Sequence, residues 1–443
     1  MGSALGLVAP RPSSTGPRVS LEAEVNLSNT PNQPSDWPQV VVTEDGTVHA
    51  VWREVSSVST VVHRYLLPGA TSWLPAASTT LAYRAQEPTL ATNGDEVTVA
   101  FTRLLQDGSS KVLYRTWNRD QGVWGSLQPS DGTANGSQPD LAYDTNDPLT
   151  RWLVWIDASD GRQPVYLKLR GDSIQDGGTI DVLNNAPLSP QVAVAPEGDV
   201  HVAWIDEGPA AARVKYAWRP SGQTNWIIPE SQPAAYYADV RQARAPDLAV
   251  DSGPACIVWQ EDADAGHANQ EIIRSCLPWD YVYNLSNSPS RSLMPRLALD
   301  PVLGSLIVWQ ERPTAGKEIR FSQATPPTLA TVHQGDVDMP ALAYHYHRDE
   351  RQGYVHAVWV EQTSPEGGSD VYYGRWKVDP AVPTATATAT ASPTTPAPAT
   401  AVPSATPSAT ATATAPPGSP TALPPTVPVA PRIVYCPWLV KSR

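Results

Sequence analysis

Seven times along this chain a proline opens the same pattern: an alternating apolar strand, a turn, and a second strand that ends in an aromatic. It reads PQVVVTEDGTVHAVW from Pro38 to Trp52, PTLATNGDEVTVAF from Pro88 to Phe101, and PDLAYDTNDPLTRWLVW from Pro139 to Trp155. Then come PQVAVAPEGDVHVAW (Pro190 to Trp204), PDLAVDSGPACIVW (Pro246 to Trp259), PRLALDPVLGSLIVW (Pro295 to Trp309) and PALAYHYHRDERQGYVHAVW (Pro340 to Trp359). Successive prolines lie 50, 51, 51, 56, 49 and 45 residues apart. A chain so built is restricted to an array of like units, because a single unit cannot bury its own apolar faces and must stack on its neighbours.

Each unit holds more than a hairpin. Turn residues such as Asp45-Gly46 and Asn93-Gly94 join its first two strands. A polar loop and a third strand follow, as at Val112 to Tyr114, Val165 to Leu167, Ile272 to Ile273 and Val371 to Tyr373. A short fourth strand is often announced by tryptophan: Trp73, Trp124, Trp226, Trp279. Helical periodicity is absent over any useful length. Four antiparallel strands per period make the blade of a β-propeller. The predicted fold class is therefore all-β, a seven-bladed β-propeller of four-stranded antiparallel blades spanning residues 21–379. The seventh copy ends after Trp376 with no fourth strand, while Glu24 to Asn29 resembles Tyr283 to Asn287, the fourth strand of unit five. The N-terminal strand is expected to complete blade seven, since an open ring leaves strand edges uncovered.

Composition sets the flanks. Residues 380–431 carry no charge, with 14 prolines and 13 threonines, and read as a disordered Thr/Pro/Ala-rich stalk. Residues 432–443 (RIVYCPWLVKSR) form a short apolar-basic tail. Residues 1–20 read as a disordered N-terminus or as the remnant of an export signal, because Ala4 to Pro10 is apolar but short. Residues 1–379 carry a formal charge of −16, which argues against nucleic acid as a partner. No apolar run approaches the roughly 20 residues of a transmembrane helix. Three cysteines exclude a Cys-cluster zinc site. No cofactor is expected, and a monomer is.

The pattern P-x-[LV]-A-x-D … G-x-V-H-x-x-W-x-[DE] resembles the sialidase-like (BNR-type) propellers of secreted bacterial proteins over about residues 21–378. With the stalk and tail, the resemblance implies an extracellular or cell-surface-attached bacterial protein. Enzymes of that type grip a substrate carboxylate with three arginines and use a Tyr–Glu pair and an Asp, a sound chemistry for glycoside cleavage. Their Arg-Ile-Pro signature and their Asp-box are missing here; the nearest match, Thr43 to Gly46, lacks the residue between Asp and Gly. The expected function is thus non-catalytic binding or adhesion, with a protein or a glycan recognised through one propeller face. The alternative is an exo-acting glycoside hydrolase of sialidase type. No catalytic residue is assigned.

Four residue sets remain as candidates. An acid stands two residues after the repeat aromatic in six copies: Glu54, Asp157, Asp206, Glu261, Glu311 and Glu361, with Arg103 in the second copy. Six carboxylates at the ends of second strands are expected on one loop face, where they either attract a ligand or serve their own turns. His345, His347, Asp349 and His356 crowd the last unit, but His356 matches the repeat positions of His49 and His201, so no metal site is assigned. Of sixteen tryptophans, Trp37, Trp117, Trp152, Trp218 and Trp376 fall outside the repeat roles and are open as surface residues. Finally, a register that pairs Trp259 with Ile273 also sets Cys256 opposite Cys276, a placement that a disulfide bridges. The alternative is one buried and one exposed thiol. Cys436 has no visible partner.

Overall fold

The structure, a computed structural model, describes residues 19–378 apart from residues 31, 131–134, 160, 182–184, 209–210, 238–241, 252, 265, 280, 301–303, 315, 324–327, 348–349, 351 and 365–366. The predicted stalk, the tail with Cys436, and residues 1–18 lie outside the described residues, as does Asp349.

Seven antiparallel sheets follow one another along the chain, one per repeat, and form a seven-bladed propeller. The innermost strands are Ser35–Val42, Ala85–Thr92, Gly136–Tyr143, Ala186–Val194, Ala243–Ala249, Arg291–Asp300 and Val337–His347. Each begins just before its repeat proline. The second strands, which carry the repeat aromatic, are buried along nearly their whole length, as in Thr150–Asp157 and Cys256–Asp262. Period two explains this. Alternate side chains of a second strand face the blade before and the blade after, so both faces are interior. Trp52 packs with residues of blade 7, while its neighbour Val51 packs with blade 2. The apolar core is accordingly seven clusters, each shared by two adjacent blades. The six repeat tryptophans and Phe101 are at most 1% exposed.

Two blades depart from the pattern. In blade 4 the fourth strand shrinks to one antiparallel bridge, Trp218 with Ile227, beside the predicted marker Trp226. The side chain of Gln232 replaces a further rung: its Oε1 accepts the Tyr216 N–H at 2.7 Å and its Nε2 donates to the Tyr216 carbonyl at 3.2 Å. Blade 2 splits its outer strand into Val123–Trp124 and Gln128–Pro129, both paired with the third strand.

Ring closure is made by the N-terminus. Val19–Asn26 runs antiparallel to Ser369–Val378, with Val25 opposite Tyr373 and Asn26 opposite Tyr372. Leu27, 1% exposed, enters the core between blades 7 and 1. The Asp370 carboxylate then accepts from Asn26 Nδ2 at 2.8 Å, Ser28 Oγ at 2.8 Å and the Thr30 N–H at 2.7 Å.

Candidate functional site

In every blade the innermost strand carries a bulge at one place. Register slips between Asp36 and Gln39, Gln86 and Thr89, Ser137 and Asp140, Leu188 and Gln191, Arg244 and Asp247, Leu293 and Arg296, and Asp338 and Ala341. The residue before the repeat proline sits inside each slip. These seven residues, Trp37, Glu87, Gln138, Ser189, Ala245, Met294 and Met339, have φ between +46° and +55°. The following proline disfavours the right-handed helical region for its predecessor. Left-handed backbone is costly for a residue with a Cβ and persists only where its surroundings impose it. Here the imposing element is the buried proline, and the bulge re-aims the side chain before it.

All seven re-aimed residues are half-buried and line one cavity of about 710 Å³. Its wall takes residues from the innermost strands of all seven blades, which places it on the propeller axis. The proline is constant and the residue before it is not. Blades 2, 3 and 4 contribute Glu87, Gln138 and Ser189; blades 6, 7 and 1 contribute Met294, Met339 and Trp37, a contiguous apolar arc. Two of the three methionines of the chain stand in that arc.

Side chains knit the rim from blade to blade. Glu87 Oε2 accepts the Gln138 N–H at 2.8 Å, and Gln138 Oε1 accepts the Ser189 N–H at 2.8 Å. Behind the prolines, Asp140 Oδ2 accepts the Val192 N–H of the next blade at 2.8 Å, and Asp247 Oδ2 accepts the Leu297 N–H at 2.6 Å. Burial pushes the Asp140 carboxyl up to about 7 and raises that of Asp247. Arg244 and Arg296 are the arginines among the described lining residues, and Arg53 stacks on Trp37 with its guanidinium 4.0 Å from the ring centre. Among the described residues, three arginines do not converge in the cavity.

The six acids after the repeat aromatic are placed elsewhere, and none lines this cavity. Three of the six are buried, and Glu54, Asp157 and Glu361 are half-buried. A residue two after the aromatic shares its face by period two, so it points into the blade interface. Glu261, Glu311 and Asp206 are 0%, 3% and 8% exposed. In three blades the acid accepts the indole N–H of its own tryptophan: Trp52 to Glu54 at 3.2 Å, Trp259 to Glu261 at 2.8 Å and Trp309 to Glu311 at 2.9 Å. Where the acid is aspartate, one methylene shorter, the indoles of Trp155 and Trp204 have no acceptor. Asp157 takes the Ser159 N–H and Asp206 the Asn185 amide instead. Glu361 faces His333 at 3.6 Å, and the Trp359 indole has no partner.

This has a measurable consequence. Asp206→Glu supplies the missing acceptor for Trp204 and is expected to stabilise the fold by about 1 kcal/mol, the ordinary net worth of a buried hydrogen bond. The urea midpoint measures it; an unchanged or lower midpoint would show that reach is not what leaves that indole unpaired.

The other candidates resolve as follows. His49, His201 and His356 are buried beside strand-three partners. His345 and His347 pack edge to face at 6.1 Å, and no group of three metal-ligating side chains occurs among the described residues. Trp117, Trp152 and Trp376 are buried, Trp218 is partly buried, and Trp37 alone of the five reaches the cavity. Cys256 and Cys276 stand opposite each other in register and are joined, with an S–S distance of 2.02 Å. The motif-based reading missed the axial residues. Their signal was positional: the residue immediately before each repeat proline.

No protein-family model matches the chain, and no curated protein matches it significantly. Among solved structures it is similar to the β-propeller domain of the Trilobed protease from Pyrococcus furiosus, at 7% identity and a TM-score of 0.49, covering 79% of this chain and 99% of that one. It is also similar to polysaccharide lyase Uly1 (11%, TM-score 0.49, covering 77% and 90%). A mutant of Trypanosoma rangeli sialidase displaying trans-sialidase activity matches at 9% and a TM-score of 0.45, covering 80% of this chain and 59% of that one. These are likenesses of blade architecture, which the strand pairing already establishes.

Proposed function

We propose that this chain is a non-catalytic extracellular binding or adhesion module that takes its ligand at the mouth of the axial cavity, and that the ligand is a glycan. One observation carries the reading: seven bulges hold side chains of six different kinds around one cavity while the prolines behind them stay the same. A constant scaffold with a varied rim is the arrangement of a recognition surface. Carboxamides, carboxylates and a hydroxyl from blades 2 to 4 suit a polyhydroxylated ligand. Trp37, Met294 and Met339 offer an apolar wall for the carbon face of a sugar ring. A protein loop is the competing occupant. The extracellular placement is supported by the Cys256–Cys276 disulfide, a bond that persists in oxidising compartments. It is compatible with the lack of a membrane-spanning helix among the described residues. The sialidase alternative is less favoured, because among the described residues two arginines, Arg244 and Arg296, line the cavity.

A glycan array with the intact chain tests the proposal. Binding to a defined glycan class is expected, and Trp37→Ala should weaken it tenfold or more with the melting temperature held within about 2 °C. Hydrolysis of a fluorogenic sialoside would overturn the non-catalytic reading, and binding that survives Trp37→Ala unchanged would move the site off the axis.

A further inference from the structure

Asp140 occupies an unusual place in the cavity wall. It follows the repeat proline of blade 3, and its carboxyl is held from two other blades. Thr89 Oγ1 of blade 2 donates to Oδ1 at 2.9 Å, and the Val192 N–H of blade 4 donates to Oδ2 at 2.8 Å. Thr89 itself lines the cavity. Asp140 is half-buried and makes no ion pair among the described residues, whereas an asparagine there would keep both contacts without a charge to desolvate. A costly group kept in the wall of a cavity points to use rather than to stability.

We infer that Asp140 and Thr89 form a proton-switched pair that changes what the cavity wall offers a ligand. With Asp140 ionised, the threonine hydroxyl hydrogen is spent on Oδ1, and the wall presents a carboxylate and an acceptor. With Asp140 protonated, Oδ1–H donates to Thr89 Oγ1, and the threonine hydrogen turns free to donate into the cavity. The proton comes from solvent and returns to it; no other bond changes. The inference rests on the axial cavity as the ligand site and adds its regulation: donor-rich or cationic ligands are favoured on the alkaline side, acceptor-rich or anionic ones on the acid side.

The groups that act on Asp140 come from every neighbouring element. Burial raises the carboxyl to about 7, the Val192 N–H, the Thr89 hydroxyl and the Leu141 N–H lower it, and the charge of Asp247 in blade 5 raises it. Asp247 is itself subject to Arg296. Glu87 lines the same cavity. The sign is fixed by this direction. A carboxyl raised in the fold stabilises relative to the unfolded chain below about pH 4, and that contribution is lost as pH climbs through about 7.

The full chain without any ligand tests this, so the result stands apart from whether a glycan is found. Urea unfolding of the parent and of Asp140→Asn is compared at pH 5.5 and 8.5. The parent's folding equilibrium constant should fall tenfold or more relative to the variant across that interval. In aspartate carboxyl-carbon NMR of the parent, one resonance should titrate near neutrality, be lost in Asp140→Asn, and move to higher pH in Thr89→Val, which deprives the carboxylate of a donor. Should Asp140→Asn fail to fold, the Thr89→Val shift decides alone. Parallel pH profiles for parent and Asp140→Asn, or a near-neutral resonance indifferent to Thr89→Val, would overturn the inference.

Discussion

Deleting residues 19–28 should lower the melting temperature by about 10 °C or more, because those residues close the ring. The deletion removes Leu27 and Val25 from the core between blades 7 and 1, and burying such side chains is worth about 1.5–3 kcal/mol each. It strips the outer edge of Ser369–Val378 and leaves Asp370 without its donors from Asn26 and Ser28. Asp370 keeps its bond from the Thr30 N–H but loses the two donors to its other contacts, and a buried acceptor stripped of donors costs about 1–3 kcal/mol. Freed ordering entropy offsets part of this. A net loss of about 5 kcal/mol converts to the stated shift at the few degrees per kcal/mol usual for larger domains. Thermal unfolding followed by circular dichroism gives the answer. A deletion variant melting within a degree or two of the parent would mean that the ring holds without its N-terminal strand.

The second large effect is loss of stability in acid. His201 Nδ1 lies 2.6 Å from the Tyr216 hydroxyl, and His356 Nδ1 lies 2.8 Å from that of Tyr373. In blade 1 the equivalent partner is another histidine: His49 Nδ1 is 3.1 Å from His63 Nε2, and the Trp124 indole donates to His63 Nδ1 at 3.1 Å. Burial holds all four neutral. It lowers His49 and His201 to about 4 and His356 to about 3, and it puts His63 well below the ordinary value. For a group lowered in the fold, stability is complete above the unfolded value near 6.5 and is lost as pH falls through the folded one. At about 1.4 kcal/mol per unit of pKa, His49, His201 and His356 are each worth on the order of 3 kcal/mol, and His63 acts in the same direction. Chemical denaturation at pH 7.5 and 4.5 should therefore give sharply different midpoints, with Asp140 opposing the fall over part of that range. His201→Gln should flatten the profile by one site's share. Equal midpoints at the two pH values would rule out buried neutral histidines as the cause of any acid sensitivity.

The blade number, the antiparallel units and the closing strand were legible in the sequence because they follow from period and pattern. Seven prolines about 50 residues apart count the blades. Alternation marks the strands. The EVNLSN segment at Glu24 to Asn29 shows by likeness to Tyr283 to Asn287 which role it fills. The opposition of Cys256 and Cys276 could be read the same way, since register within a hairpin is arithmetic once one pair is fixed.

The site was not legible on those terms, and the reason is direction. A repeat shows which residues are equivalent, but not which way an equivalent side chain points. Glu54, Glu261 and Glu311 read as part of one loop face because they end second strands; the pleat turns them inward, where each accepts the indole N–H of its own tryptophan. Trp37 stood as one of five tryptophans open to the surface, and nothing in the repeat marked Gln138 or Met339. Only the bulge, imposed by a buried proline against the neighbouring strand, turns them together toward the axis. The sequence by itself determined how many blades there are and how each is wound, because those depend on local alternation and on length. The shared cavity, and the neutral-range carboxyl of Asp140 in its wall, were decided by tertiary structure, because each requires groups from several blades to meet in one place.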